Sequence, residues 1–313
     1  MTHQFRSIAI GAAVAALLIL PARADSNWVT RPQKSYDANS IRIDDLVGTL
    51  TVSVKPSGPV TVEIAGTRER VQGLEVAKDG KTLVIHGAQI NAVWDWHKWF
   101  DFSAHQSMQP KSLQVKIAVP KGTALNVNDM IGDATIGDTM GPLTFEAAAT
   151  TAKIGRVGEA KLSMAGSGRI DVAEVNGPLS LEIAGSGKIH VGHSGPVRAE
   201  VAGAGDTQLG DIAGGLKVEI AGSGNVAALS VNGPVKVEIA GSGSIKIANG
   251  KADPLRVEIM GSGNFDFGGT AVDPHLEAFG SGRVKLKSYT GHMSRNGSVD
   301  VQVGGKSIPG GED

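Results

Sequence analysis

Between residues 236 and 248 the chain reads KVEIAGSGSIKIA, with apolar and polar side chains alternating on either side of a glycine pair. Val237, Ile239, Ile245 and Ile247 fall on one face, and Lys236, Glu238, Ser244 and Lys246 on the other. A period of two predicts two short β-strands joined by a tight turn. Strands of about five residues cannot fold alone, so they need copies of themselves to pack against.

The chain supplies those copies. Gly-Ser-Gly, once Gly-Ala-Gly, begins at Gly166, Gly185, Gly203, Gly222, Gly241, Gly261 and Gly280, at spacings of 18 to 20 residues. A second turn signal lies between them: VNGP at 175–178 and 231–234, HSGP at 193–196, GG at 214–215, and DP at 253–254 and 273–274. Each unit therefore reads strand, glycine turn, strand, Asn/Gly/Pro turn. Nineteen residues are too few for a strand plus a crossover helix. Antiparallel hairpins in a sandwich and coils of a parallel β-solenoid remain, and the recurring residues favour the solenoid. Stacked about 4.8 Å apart, the coils place Ser167, Ser186, Ser223, Ser242, Ser262 and Ser281 in one column. Ile183, Val201, Ile220, Ile239 and Ile259 form another, inside.

One column argues against stacking until its neighbour is considered. Glu182, Glu200, Glu219, Glu238, Glu258 and Glu277 recur at one outward position, and like charges in a row repel. Two residues earlier stand Arg198, Lys217, Lys236 and Arg256, so a basic column runs beside the acidic one. The pair reads as a solvated, charge-balanced face.

Outside the clear repeats the pattern weakens without stopping. LNVNDMIGDATIG (125–137) and LTFEAAATTAKIG (143–155) are degenerate units, and MSRNGSVDVQV (293–303) is a shortened last one. Residues 113–303 are expected to form a regular solenoid of about ten coils. Residues 36–112 read as an irregular N-terminal β region, either part of the same stack or a cap on it, with residues 25–35 as a loose lead-in and 304–313 as a polar tail.

The first 24 residues have another role. A short basic start with His3 and Arg6, an apolar run from Ile8 to Leu20 and Ala22-Arg23-Ala24 fit a secretory signal peptide at 1–24. Cleavage would leave 28 Lys and Arg against 31 Asp and Glu, too even a balance to imply nucleic acid as a partner. No later stretch is apolar enough for a membrane-spanning helix. The chain has no cysteine, which excludes disulfides and thiolate metal sites. With 43 Gly and only 4 % aromatic residues, the core should be thin and built from small aliphatic side chains.

One stretch breaks the pattern: NAVWDWHKWFDFSAHQSMQP at 91–110, an insertion between strands with three of the four tryptophans. Trp94, Trp96 and Trp99 could stack on sugar rings, with His97 adding a polar contact. The same segment could instead cover the stack as a plug or form a contact between copies. His190 and His193, three apart, should point to opposite faces of a strand and share no metal. GSGNFDFGG (261–269) faintly matches a calcium nonapeptide, but the position after Gly-Ser-Gly holds Arg169, Lys188, Asp206, Asn225, Ser244, Asn264 and Arg283, which is no calcium column. Uniformly tight turns leave little room for a cleft, so no catalytic residue, metal or cofactor is assigned.

The order of elements also resembles a known family. LTVSVKPSGPVTVEIAG, then KDGKTLVIHG, then LQVKIAVPKGTALNV, then serial AGSG turns is similar to the bacterial auto-transporter adhesin "head GIN domain" family, over roughly residues 36–303. The resemblance implies a right-handed parallel β-helix whose Gly-Ser-Gly motifs turn the chain between two sheets. It also implies a periplasmic or cell-surface location and a role in adhesion, with no catalytic set.

The chain is therefore expected to be an exported, non-catalytic β-solenoid that presents an extended surface to envelope or cell-surface components. The alternative is a polysaccharide-binding or polysaccharide-cleaving β-helix using Trp94 to Trp99. A contact between copies is expected near Met260 and Phe279, where a column of Ala165, Ala184, Ala202, Ala221 and Ala240 turns bulky.

Overall fold

The computed structural model describes residues 27–87, 110–298 and 300–308. They form a β-solenoid of about 9 turns. Through the regular coils, each strand pairs in parallel with the equivalent strand one repeat away. Leu179–Gly185 lies residue for residue on Val197–Gly203, and that strand on Leu216–Gly222. The second strands do the same, Lys188–Ser194 on Asp206–Ile212. Ile183, Val201, Ile220, Ile239 and Ile259 thus form one continuous interior column.

The glycine turn makes this stacking possible. Gly241 has φ +127°, which L side chains avoid, and an added Cβ would lie 2.3 Å from the Gly222 carbonyl oxygen. That oxygen accepts a 2.9 Å hydrogen bond from the Ser242 amide, so the turn is part of the ladder.

The second strand of each coil is bent. Val172 and Val175, Val191 and Ser194, Leu209 and Ile212 are all buried although three residues apart. A simple alternation fails here because one residue, Gly192 in the 188–194 strand, is used to turn the corner. Contrary to expectation, His190 and His193 therefore both lie outside, and both are exposed.

The interior is mostly aliphatic, but Phe145, Phe265 and Phe267 are fully buried. The last two stack with ring centroids 6.4 Å apart. Gly269 leaves the space that the Phe267 ring fills, since a Cβ there would lie 2.7 Å from Phe267 Cζ. Thr123, Thr139, Thr150, Ser194 and Thr207 are buried polar residues. Thr207 sits between Ile189 and Val226, 1 % exposed, and its hydroxyl has no hydrogen-bond partner. Thr207→Val is expected to raise stability by about 1 kcal/mol, because an unsatisfied buried hydroxyl is replaced by a methyl group. A urea midpoint that stays put or falls would count against this.

At the N-terminal end the order of coils departs from the order of the chain. Ser40–Asp44 and Val47–Lys55 form a coil that pairs upward with Ala124–Ile136. Downward it pairs with Thr82–His86 and with Leu113–Pro120, which come later in the sequence. The chain thus passes from residue 120 to residue 124 across a coil already in place. Below it the stack is closed by antiparallel strands: Glu75–Asp79 on one side, and Val60–Thr67 followed by Trp28–Tyr36 on the other. A short helix, Arg68–Gln72, joins two of them, with Val71 buried and Leu74 beyond it also buried. The outermost strand carries Arg31, Pro32 and Lys34 and a register shift, features that discourage pairing with another chain. At the other end Lys306–Ile308, in the segment read as a polar tail, adds antiparallel to Asp300–Val303. Among the described residues no helix is long and apolar enough to cross a membrane.

Candidate interaction surface

Alternation along the first strand of each coil sends every second side chain outward, and exact register turns each such position into a column. Three columns cover this face. The first holds Ser180, Arg198, Lys217, Lys236, Arg256 and His275. The second is the glutamate column from Glu182 to Glu277, and the third is the alanine column ending in Met260 and Phe279.

The first two columns are knit by ion pairs. Arg198 meets Glu200 at 2.5 Å within its own coil and Glu219 at 3.4 Å in the next. Lys217 lies 2.6 Å from Glu219, and Lys236 2.6 Å from Glu238. The hydrogen bond from Lys217 holds the Glu219 carboxyl below the usual carboxylate range. Hydrogen bonds to Glu200 and Glu238 push Arg198 and Lys236 upward in the same way. All keep at least 34 % of their side-chain surface in solvent, so the pairs cancel repulsion more than they add stability. Among the described residues, no ion pair involves Glu182, Glu258 or Arg256.

Because the third column is alanine, a groove of about 280 Å³ runs between it and the glutamates, from Glu182 to Met260. Met260 and Phe279 are register partners, and at 51 % and 53 % exposed they form an apolar ridge where the groove ends. The structure therefore brings the two expected contact residues together. A second groove, of about 560 Å³, lies on the other side of the basic column. Its outer wall is the corner carrying Pro142, Pro178 and Pro196, which faces Lys161 and Arg198. The sequence marked Pro178 and Pro196 as turns only and did not single out Pro142. Pairing every proline with the outward residue two positions on would have revealed the wall.

Trp94, Trp96, His97 and Trp99 lie outside the described residues. The residues flanking that segment sit at the glycine-turn corner: the Gly87 amide donates to the Asp44 carbonyl, and Pro110–Ser112 forms one 3₁₀ turn. Beside it is a shallow groove of about 490 Å³ lined by Lys111, Asp133, Thr151 and Ser167. Leu229, 53 % exposed at a strand bend where other coils have Gly192, Gly210 and Ala248, was not anticipated. Only aligning the bend positions could have found it. Near the capped end Asp129, with φ +54°, has its carboxyl pushed up by burial and by Asp45, Glu146 and Asp44. Among the described residues no group of histidines and carboxylates is arranged to hold a metal ion.

A parallel β-solenoid whose outer face is ruled with charged and apolar columns is a class of repeat protein built around its surface. The family comparison narrows the class. The sequence profile described as "Putative auto-transporter adhesin, head GIN domain" matches residues 45–251, two thirds of the chain, and the chain belongs to that family. No functionally curated protein matches it. Among solved structures, it is similar to a "putative lipid binding protein" from Parabacteroides distasonis (14 % identity, TM-score 0.39), covering 89 % of this chain and 97 % of that one. A "putative adhesin" from Parabacteroides merdae is similar at 17 % identity and TM-score 0.39, with the same coverage. Another from Bacteroides fragilis has 15 % identity and TM-score 0.34, again covering 89 % and 97 %.

Proposed function

We propose that this chain is exported and acts as a non-catalytic scaffold that presents an extended surface to cell-envelope or cell-surface components, in adhesion. One observation carries the reading: outward side chains repeat in register, coil after coil, over the length of the stack. Identical groups at about 4.8 Å intervals offer many weak contacts at once, which together bind far more tightly than any one of them. The adhesin description of the family supports the same role, and the apolar start of the sequence supports export. The test is binding of the purified, fluorescently labelled chain to isolated bacterial envelope fractions. Saturable binding that disappears on unfolding is expected; binding no greater than that of an unrelated soluble protein would overturn the proposal.

A second reading, glycan binding through Trp94, Trp96 and Trp99, is favoured by the groove beside the base of that segment, with Thr151 and Ser167 as hydroxyl partners. Replacing the three tryptophans by alanine separates the two. Under the second reading glycan binding is lost at unchanged melting temperature, whereas a plug would lower the melting temperature.

A further inference from the structure

We infer that the three-column face is a self-association surface, joining two copies side by side with their stacks running in the same direction. The proposal goes beyond adhesion, since it concerns what covers this face in solution. It rests on the order of the columns. Across the face they run corner, basic, acidic, alanine, with Arg198, Lys217, Lys236 and Arg256 beside glutamates in four successive coils and Ser180 and His275 continuing the basic column at its two ends.

Two copies can face each other in two symmetric ways. A two-fold axis across the stack lays each column on its own copy, basic on basic and acidic on acidic, which is repulsive. A two-fold axis parallel to the stack reverses the lateral order instead. Placed between the charged columns, it lays the basic column of each copy on the acidic column of the other. Lys236 then meets Glu238 of the second copy twice over, at the same height. Arg256 and Glu258, which have no ion pair among the described residues, gain partners in this arrangement, whereas Glu182 falls opposite Ser180.

The same operation matches the shapes of the two edges. The alanine column of one copy falls opposite the corner of the other, so exposed Pro178, Pro196, Pro234 and Pro254 project toward the groove beside Ala184 to Ala240. Met260 meets the same corner at its own height, beside exposed Pro254, where its apolar surface leaves water; Phe279, one coil on, meets it at exposed Asp273, Pro274 being buried. The face is large enough. Six strands at about 4.8 Å and six residue steps at about 3.3 Å give roughly 600 Å² in flat projection. Corrugation brings the accessible area close to the roughly 800 Å² per partner of a standard interface.

The test is light scattering and sedimentation of the purified chain and four variants, with circular dichroism and melting temperature confirming the fold. The wild type is expected at twice the chain mass, dissociating as salt rises because the charges are screened. Phe279→Glu and Lys236→Glu should each weaken the dimer at least tenfold, at unchanged melting temperature. Lys236→Glu with Glu238→Lys, which swaps the columns within one chain, should restore it. Leu229→Glu, on the other strand, should leave it unchanged. A wild type that stays monomeric at every concentration overturns the proposal. So does a dimer indifferent to Lys236→Glu or Phe279→Glu, or a swapped variant no tighter than Lys236→Glu. A dimer that tightens with Lys236→Glu overturns the parallel arrangement, since only like-on-like columns would gain from that change.

Discussion

Gly241→Ala is expected to unfold much of the solenoid well below the wild-type midpoint. The substitution meets two obstacles at once. A φ of +127° is strained for alanine, worth about 1–3 kcal/mol. The new Cβ would also sit 2.3 Å from the Gly222 oxygen, which is fixed by its bond to the Ser242 amide. Relief requires Gly241 to move away, and that breaks the ladder to the coil below. The loss should therefore exceed about 3 kcal/mol, and the melt should broaden as coils on either side of the break lose their nearest neighbour. Gly122→Ala is the matched comparison. It also has positive φ, +88°, but nothing lies within 4 Å of its Cβ, so strain alone is expected, about 1–2 kcal/mol. Equal effects of the two changes in urea unfolding would show that the close approach between coils contributes nothing.

Phe267→Ala should cost about 3–5 kcal/mol, the range for deleting a fully buried aromatic side chain. The ring is 0 % exposed, stacks on Phe265, and fills the space that Gly269 leaves beside it. Collapse is limited because the neighbouring backbone is held in parallel ladders to Ile247 on one side and Leu286 on the other. Phe267→Leu, which keeps most of the volume, should cost less than half as much. An alanine variant within about 1 kcal/mol of wild type would mean that the coils close over the cavity.

The regular coils were legible because a stacked fold writes its contacts into the sequence as repetition. Ile183 and Val201 sit one repeat apart in both chain and space, so periodicity alone finds the pair. The same reasoning gave the charged columns and the closeness of Met260 to Phe279. It failed where spatial order and chain order separate. Asp44 accepts a hydrogen bond from Asn128, 84 residues away, and no repeat links those two positions. Residues 36–90 could thus be read as part of the stack or as a cap, and the structure divides the described ones, 36–87, between both roles. The bend in the second strand was hidden for another reason. Alternation assumes a straight strand, and a glycine or alanine that turns a corner leaves no mark of its own, so His193 and Leu229 could not be placed. The three buried phenylalanines were masked by an aromatic content of only 4 %.

The crossing at residues 120–124 makes the two ends of the molecule unequal. Residues 40–55 are enclosed by partners that occur later in the sequence, so during synthesis they wait for both neighbours, and neither can be removed without leaving that coil half-paired. Toward the C-terminus each coil depends only on the adjacent ones. Whole repeats can be duplicated or deleted there without rearranging the rest, which gives evolution a ruler it can lengthen from one end while the other stays locked.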